Sequence, residues 1–298
     1  MTESELQKNL NRYYHLIDIL EKLVTNIEIA FLNDKRWFLY STKITRKFIG
    51  HCKSLYINSS DAFVIEDGKE KIETQYIDIP GLFMNVRSQS DTYAILYHLF
   101  FDSVDWELRR LRFDLWRLDS LVSWVRQKNP FDYNEENNQI SEIIDKILNN
   151  EVFKNLKETE KKFVFKNSTE LKKIVANWKF DLTKLNSKDS KVSWKEIFIN
   201  SGLKGKMFEN AHSFLSMYVH SNFFSVNHLS NQSNEQTIND KNFALTFSSF
   251  LVAMAIDDFC ASFEKGKEFA SKLSSLDLDI IKSFVINARE TEKIKYFA

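Results

Sequence analysis

The sequence predicts an all-α protein, a multi-helix bundle of about ten helices with at most a small β-hairpin near residues 58–78. Three observations carry this expectation. Only six glycines and two prolines occur in 298 residues, against a usual glycine share of about 7%, so the turns and bulges of a β-rich fold are under-supplied. Apolar residues recur at three- and four-residue steps along most of the chain, the period of a helix with one buried face. Asn33-Asp34, Asp102 or Ser103, and Asp240 stand where helix caps are needed.

Taken in order, Leu6, Leu10, Tyr13, Ile17, Leu20, Val24, Ile27 and Phe31 mark a long first helix. A second follows Asn33-Asp34 and runs to about Tyr56. The pattern then breaks, and the β-prone runs of FVIEDGKEKIE flank Asp67-Gly68, which reads as a hairpin. A helix starts near Pro80-Gly81 and reaches about Phe101, and the next ends before Asn129-Pro130. Residues 134–190 are Lys/Asn-rich and read as a helical insertion in a single domain spanning 1–298. Its shorter helices are expected at Glu135–Leu148 and Thr169–Trp178. Beyond it come a short helix from Ser193, a strong one over Lys206–Phe223, a Ser/Asn-rich loop, a long apolar helix over Asp240–Phe263, and a last helix over Leu276–Arg289.

Composition excludes several classes of function. Forty-one basic residues balance forty-one acidic ones, so no global field draws the chain to nucleic acid or to a membrane. Neither G-x-G-x-x-G nor G-x-x-x-x-G-K-[ST] is present, which removes dinucleotide-binding and Walker-type chemistry. Cys52 and Cys260 form no C-x-x-C and indicate neither a zinc site nor a disulfide framework. The longest uncharged run, Phe243 to Ile256, is shorter than the ~18–20 residues of a membrane span. The N-terminus lacks the basic start and apolar run of a signal peptide. The expectation is a cytoplasmic protein with no cofactor, no resident metal and no membrane partner.

Two apolar helices carry polar stripes. Arg87, Asp91 and His98 fall within about 40° of each other on a regular helix, amid Phe83, Val86, Tyr93, Ile95, Leu96 and Leu99. Glu209, Ser213, Ser216 and His220 share a stripe about 60° wide on Lys206–Phe223, with His212 at its edge. If the stripes face each other, Arg87, Asp91, His98, Glu209 and His220 form one site in which arginine binds an anion and histidine moves a proton. A buried hydrogen-bond network that fixes helix register predicts the same pattern. A divalent-metal hydrolase drawn from Asp91, His98, Glu209 and His220 is a further alternative, although the spacing fits neither E-x-x-H nor H-E-x-x-H.

A third feature lies on the second helix. Lys35, Arg36, Lys43, Arg46, Lys47 and Lys53 occupy an arc of about 120° with no acidic residue between Lys35 and Tyr56. Such a one-signed face can track phosphates, with Arg36, Lys43, Arg46 and Lys47 as the nucleic-acid contacts; it can equally be an ordinary solvated face. Arg46-Lys-Phe-Ile-Gly-His51 also fits R-x4–6-H, the ribonuclease motif of the HEPN helical superfamily, although side chains at i and i+5 diverge by about 140° on a straight helix.

The segments MNVRSQSDTYAILYHLFFD and ENAHSFLSMYVHSN resemble a family of uncharacterised bacterial all-helical proteins. Members carry R-x-x-x-E on one helix and roughly Y-x-x-L-S-x-x-V-H on a later one. Arg87, Leu215-Ser216, Tyr218-Val219 and His220 match; the acid is Asp91 rather than Glu, and His212 or Phe214 stands at the first aromatic. The resemblance covers residues 35–128 and 194–262. It implies a helical, distantly HEPN-like domain in an accessory or phage-defence setting and no established reaction. The functional expectation is a bacterial protein of defence or RNA-processing type: a metal-independent RNase or nucleotide-binding effector using Arg87, Asp91, His220, His98 and Glu209, or Arg46 and His51. The alternative is a non-catalytic helical module that binds a protein, a second copy or a nucleotide.

Overall fold

In the computed structural model the described residues are 3–31, 36–60, 65–67, 70–72, 78–127, 134–168, 170, 173–185, 191–203, 205–219 and 233–289. They are predominantly helical, as the glycine shortage and the apolar period require. The chain divides into two compact units: residues 1–97 with 198–298, and residues 98–197. The Lys/Asn-rich stretch 134–190 falls inside the second unit, which also takes in the preceding helix.

The first unit is built on α1 (Glu3–Ala30), α2 (Tyr40–Ser60), α3 (Ile79–Leu96), α9 (Gly205–Val219), α10 (Asn234–Ser262), α11 (Glu264–Ala270) and α12 (Ser275–Ala288). Its centre is α10, against which α1, α2, α3, α11 and α12 pack, while α9 packs on α3. Leu251 to Ile256, Phe259 and Cys260 are fully buried there. Among the described residues α10 is the one helix long and apolar enough to cross a membrane, and 83% of its most apolar window is buried inside the protein. A helix apolar all round that is covered by neighbours is a core helix.

Local chemistry fixes where these helices start. Ser233 caps α10 by accepting from the Gln236 N–H, so the helix is capped seven residues before Asp240, within the stretch expected to be loop. Asp78 caps α3 through the Gly81 N–H, with Pro80 in the first turn where its missing N–H is harmless. Ser274 and Asp277 form a reciprocal capping box at α12. Gly266 is required by close approach, because a Cβ there would lie 2.5 Å from the Phe259 carbonyl oxygen at the end of α10. A buried polar thread sets the register of α1, α2 and α3: the Tyr13 hydroxyl donates to the Cys52 carbonyl and to Gln89 Oε1, and Gln89 Nε2 donates to the His51 carbonyl.

The expected hairpin is present as β1 (Ile65–Asp67) and β2 (Glu70–Ile72), antiparallel with Ile65 opposite Ile72. Its turn lies outside the described residues.

The second unit comprises α4 (Trp106–Gln127), α5 (Asn134–Asn149), α6 (Glu151–Asn155), α7 (Glu158–Val164), a two-residue ladder of β3 (Phe165–Lys166) with β4 (Val175–Ala176), and most of α8 (Trp194–Asn200). Its own core joins Leu108, Leu111, Leu115 and Leu118 of α4 to Ile140, Ile143 and Ile147 of α5, with Phe153, Phe165, Ile174 and Phe180 closing it. The helix expected over Thr169–Trp178 is not formed: Val175–Ala176 pairs as a strand with Phe165–Lys166. Pairing places Phe165 and Ala176 on the buried side, and a run this short is decided by its neighbours rather than by its own period.

Candidate functional site

The helices carrying the two polar stripes, α3 and α9, do pack together. Phe83 of α3 meets Phe214 and Tyr218 of α9 at ring-centroid distances of 5.4 and 4.5 Å. One turn further along α3, Arg87 Nη1 donates to Asp91 Oδ1 in a half-buried ion pair, with 15% and 34% of the two side chains exposed. The pair is therefore screened in part by solvent, and it is a modest contributor to stability.

Other members of the expected composite site are placed differently. His98 falls on the π-helical turn Tyr97–Phe101 that continues α3 and belongs to the second unit. There its ring bonds the Trp178 carbonyl at 3.2 Å and tilts against the Trp178 indole. Burial first, then the nearby Arg112 charge, holds its pKa well below that of a free imidazole, so it is neutral and serves as a donor to that carbonyl. Glu209 is placed on α9 by its backbone alone, and His220 lies outside the described residues. Among the described residues no group of three or more His, Cys, Asp and Glu is close enough to hold a metal ion.

On α2, the expected cationic face is divided. Arg46 Nη2 donates to Glu28 Oε2 at 2.6 Å and to the Thr25 hydroxyl at 2.8 Å, and its Nη1 lies 3.6 Å from Glu21. Lys53 pairs with Glu21 at 2.7 Å. Both cations are thus engaged by α1, whose acidic side the α2 sequence cannot reveal. Arg36, Lys43 and Lys47 remain exposed. The Arg36 guanidinium lies 5.0 and 4.6 Å from the Phe31 and Phe38 rings, and Lys43 Nζ lies 4.5 Å from the Tyr40 ring. Lys35 is outside the described residues. His51, half-buried, has its pKa lowered by desolvation and by Lys47, which leaves a neutral imidazole able to accept a proton.

The most deeply buried charges were not among the residues the sequence singled out. Arg289, Asp257 and Asp258 are all fully buried. Arg289 Nη1 reaches Asp257 Oδ2 at 2.7 Å, and its Nη2 lies 2.9 Å from Asp258 Oδ1 and donates to the Met254 carbonyl at 3.2 Å. The Tyr93 hydroxyl donates to Asp258 Oδ2 at 3.0 Å. Burial alone would favour the neutral guanidine, yet Asp258, Tyr93 and Asp257 outweigh it and raise the Arg289 pKa. The signal available in the sequence was Asp257-Asp258 inside an apolar helix, two acids that a core helix tolerates only with a buried cation. Arg112 plays a similar part in the second unit, bonding Asp102 at 2.7 Å and the carbonyls of Phe180 and His98.

No family model, curated protein or solved structure matches this chain.

Proposed function

We propose that the chain is a helical RNA- or nucleotide-binding protein of RNA-processing or defence type, and that it contacts phosphate through the start of α2. The observation that carries this reading is the exposed row Arg36, Lys43 and Lys47 with aromatic rings beneath two of its members. Cations beside aromatic faces suit a single strand, whose phosphates seek charge and whose unstacked bases seek π-surfaces. Arg46 and Lys53 add little, because Glu28 and Glu21 already neutralise them.

Binding is favoured over cleavage for the same reason: an arginine that stabilises phosphate charge in a transition state must be free to do so, and Arg46 is held by Glu28, Thr25 and Glu21 of α1. A second, catalytic reading is supported by the neutral, half-buried His51, which has the protonation state of a general base.

Fluorescence anisotropy with a short single-stranded RNA, titrated across salt concentrations, tests the first reading. Replacing Arg36, Lys43 and Lys47 together by Gln is expected to weaken binding and to flatten the log–log salt slope by about 2, three contacts at roughly 0.7 each. A wild-type chain that shows no binding at low salt would defeat the proposal. Gel-based cleavage of the same RNA, lost in His51→Ala and retained in the triple variant at saturating RNA, would instead establish the catalytic reading.

A further inference from the structure

Resting on the RNA-binding reading, we propose that the paired indoles of Trp178 and Trp194 in the second unit form a further contact for single-stranded RNA, on which an unstacked base lies. The two ring centroids are 6.0 Å apart with an interplanar angle of 66°, and both side chains are partly exposed. Lys179 Nζ sits over both, 4.2 Å from the Trp194 ring centroid and 5.3 Å from that of Trp178. Arg36 makes the same arrangement with Phe31 and Phe38 at the start of α2, and the two places share no residue.

The platform is built into the backbone. Phe180 and Lys191 form an antiparallel bridge, and the Val192 N–H donates to the Lys179 carbonyl at 3.1 Å, which sets Trp178 and Trp194 side by side. Trp178 is held further: its indole N–H bonds the Asp119 carboxyl, and its own carbonyl accepts from His98. Rings oriented in advance lose little freedom when a base stacks on them. Charge then decides which ligand they take. Arg126, Lys191 and Lys179 all lie near enough to act on the single carboxyl of Asp119, and Lys195, next to Trp194 in sequence, is exposed. The other acids close by are engaged: Glu196 by Lys184 and the Ser193 N–H, Asp181 by the Thr183 N–H and hydroxyl. A quaternary ammonium would meet like charge here, and an acidic peptide would satisfy the cations but leave the indoles unused. A single strand supplies both phosphate and π-surface.

Lys179 has a place in both the empty and the occupied site. Without RNA its ammonium covers the Trp194 ring. When a base takes that face, the flexible stem lets the ammonium move to a neighbouring phosphate. Stacking releases no counterion and phosphate pairing does, so the two parts of the contact separate in experiment.

A single-stranded RNA carrying 5-iodouridine reports stacking directly, because near-ultraviolet light couples that base to an aromatic ring lying against it. Peptide mass spectrometry of the irradiated full chain is expected to place an adduct at Trp194 or Trp178. The adduct is expected to persist in the triple variant Arg36→Gln, Lys43→Gln, Lys47→Gln at raised RNA concentration, and to vanish when a complementary strand is annealed. In fluorescence anisotropy Trp194→Ala is expected to weaken binding about fivefold or more, the worth of one stacked base. Its salt slope is expected to stay unchanged, and Trp194→Phe to recover part of the affinity. Lys191 and Lys195 are exposed, so replacing both by Gln spares the core and is expected to flatten the log–log slope by about 1.4, two contacts at roughly 0.7 each. RNA binding with no adduct at either tryptophan, or with affinity and slope unchanged in both the Trp194→Ala and the lysine variants, overturns this site and leaves the α2 reading standing. Absence of RNA binding by the wild-type chain at low salt overturns both.

Discussion

Replacing Arg289 by Met keeps most of the side-chain volume while removing the cation that faces Asp257 and Asp258. In the wild-type chain that guanidinium lies 2.7 and 2.9 Å from the two carboxylates, with all three side chains fully buried. Removing one member of a buried pair typically costs 3–5 kcal/mol, because the partner charge stays desolvated. Here two carboxylates lose their countercharge, while Asp258 keeps the Tyr93 hydroxyl as a neutral donor. The expected loss is therefore at the upper end, about 4–5 kcal/mol. Against a urea slope of roughly 2–3 kcal/mol per molar, the midpoint of the first unit's transition should fall by about 1.5–2.5 M.

The pH dependence of that loss separates electrostatics from packing. Without Arg289 the buried carboxylates favour their protonated forms in the folded state more than in the unfolded one. The folded variant then binds more protons, so its stability rises as pH falls. The deficit relative to wild type should shrink between pH 7.5 and pH 4.5 in urea melts followed by circular dichroism. Adding Asp257→Asn to Arg289→Met should recover part of the loss at neutral pH. A midpoint within about 0.3 M of wild type at pH 7.5, or a deficit that does not change with pH, would refute the assignment of Arg289 as the countercharge of the first unit's core.

Asp114→Asn should stabilise the second unit at pH 7.5, because a carboxyl raised from 3.8 to about 6 disfavours the fold by up to about 2–3 kcal/mol above both values; the gain should vanish near pH 4, read by urea melts at the two pH values. Gly266→Ala should destabilise by about 1–3 kcal/mol in the same assay, since the added Cβ would meet backbone atoms of Phe259 and Cys260 at 2.5 and 2.9 Å. Arg87→Ala should cost only about 1 kcal/mol or less, as its partner Asp91 is one-third exposed; a thermal-melt loss several times larger would mean that the pair anchors more than itself.

Most of the helical framework was legible because apolar period and capping chemistry agree. The starts expected near Pro80-Gly81 and at Leu276 fall within a residue or two of Ile79 and Ser275, where α3 and α12 begin, whereas the cap expected at Asp240 lies at Ser233. The candidate site was less legible, and the reasons differ by residue. Azimuths counted at a constant 100° set His98 on the Arg87 stripe, but Tyr97–Phe101 is π-helical, and a widened turn breaks that phase. The pairing of Arg46 with Glu28 and of Lys53 with Glu21 depends on how α1 lies on α2, which no count along α2 alone contains. The Ile174-Val175-Ala176 run offers no period to read, so the strand pairing of Val175–Ala176 follows from Phe165–Lys166 alone.

The two buried arginines suggest why charges were retained in otherwise apolar cores. Arg289 sits where backbone leaves regular structure, and Arg112 reaches such backbone from within α4. Arg289 follows the last residue of α12 and bridges to Leu203, just beyond Gly202, whose φ of 90° ends the α8 turn. Arg112 collects the carbonyl of His98, in the π-helical turn, and that of Phe180, an isolated bridge residue. Backbone carbonyls freed at such junctions must be satisfied when buried, and a guanidinium supplies several donors in fixed directions. Asp102, Asp257 and Asp258 then balance the charge that this solution introduces. An apolar replacement could match the volume of either arginine but not its donors. The testable consequence is asymmetric: Arg112→Met should expose the Phe180 junction to faster amide exchange even with Asp102→Asn added, because neutralising the acid does nothing for the orphaned carbonyls. Exchange at Phe180 and its neighbours that returns to wild-type rates in the double variant would show that charge balance, and not carbonyl satisfaction, keeps Arg112 in the core.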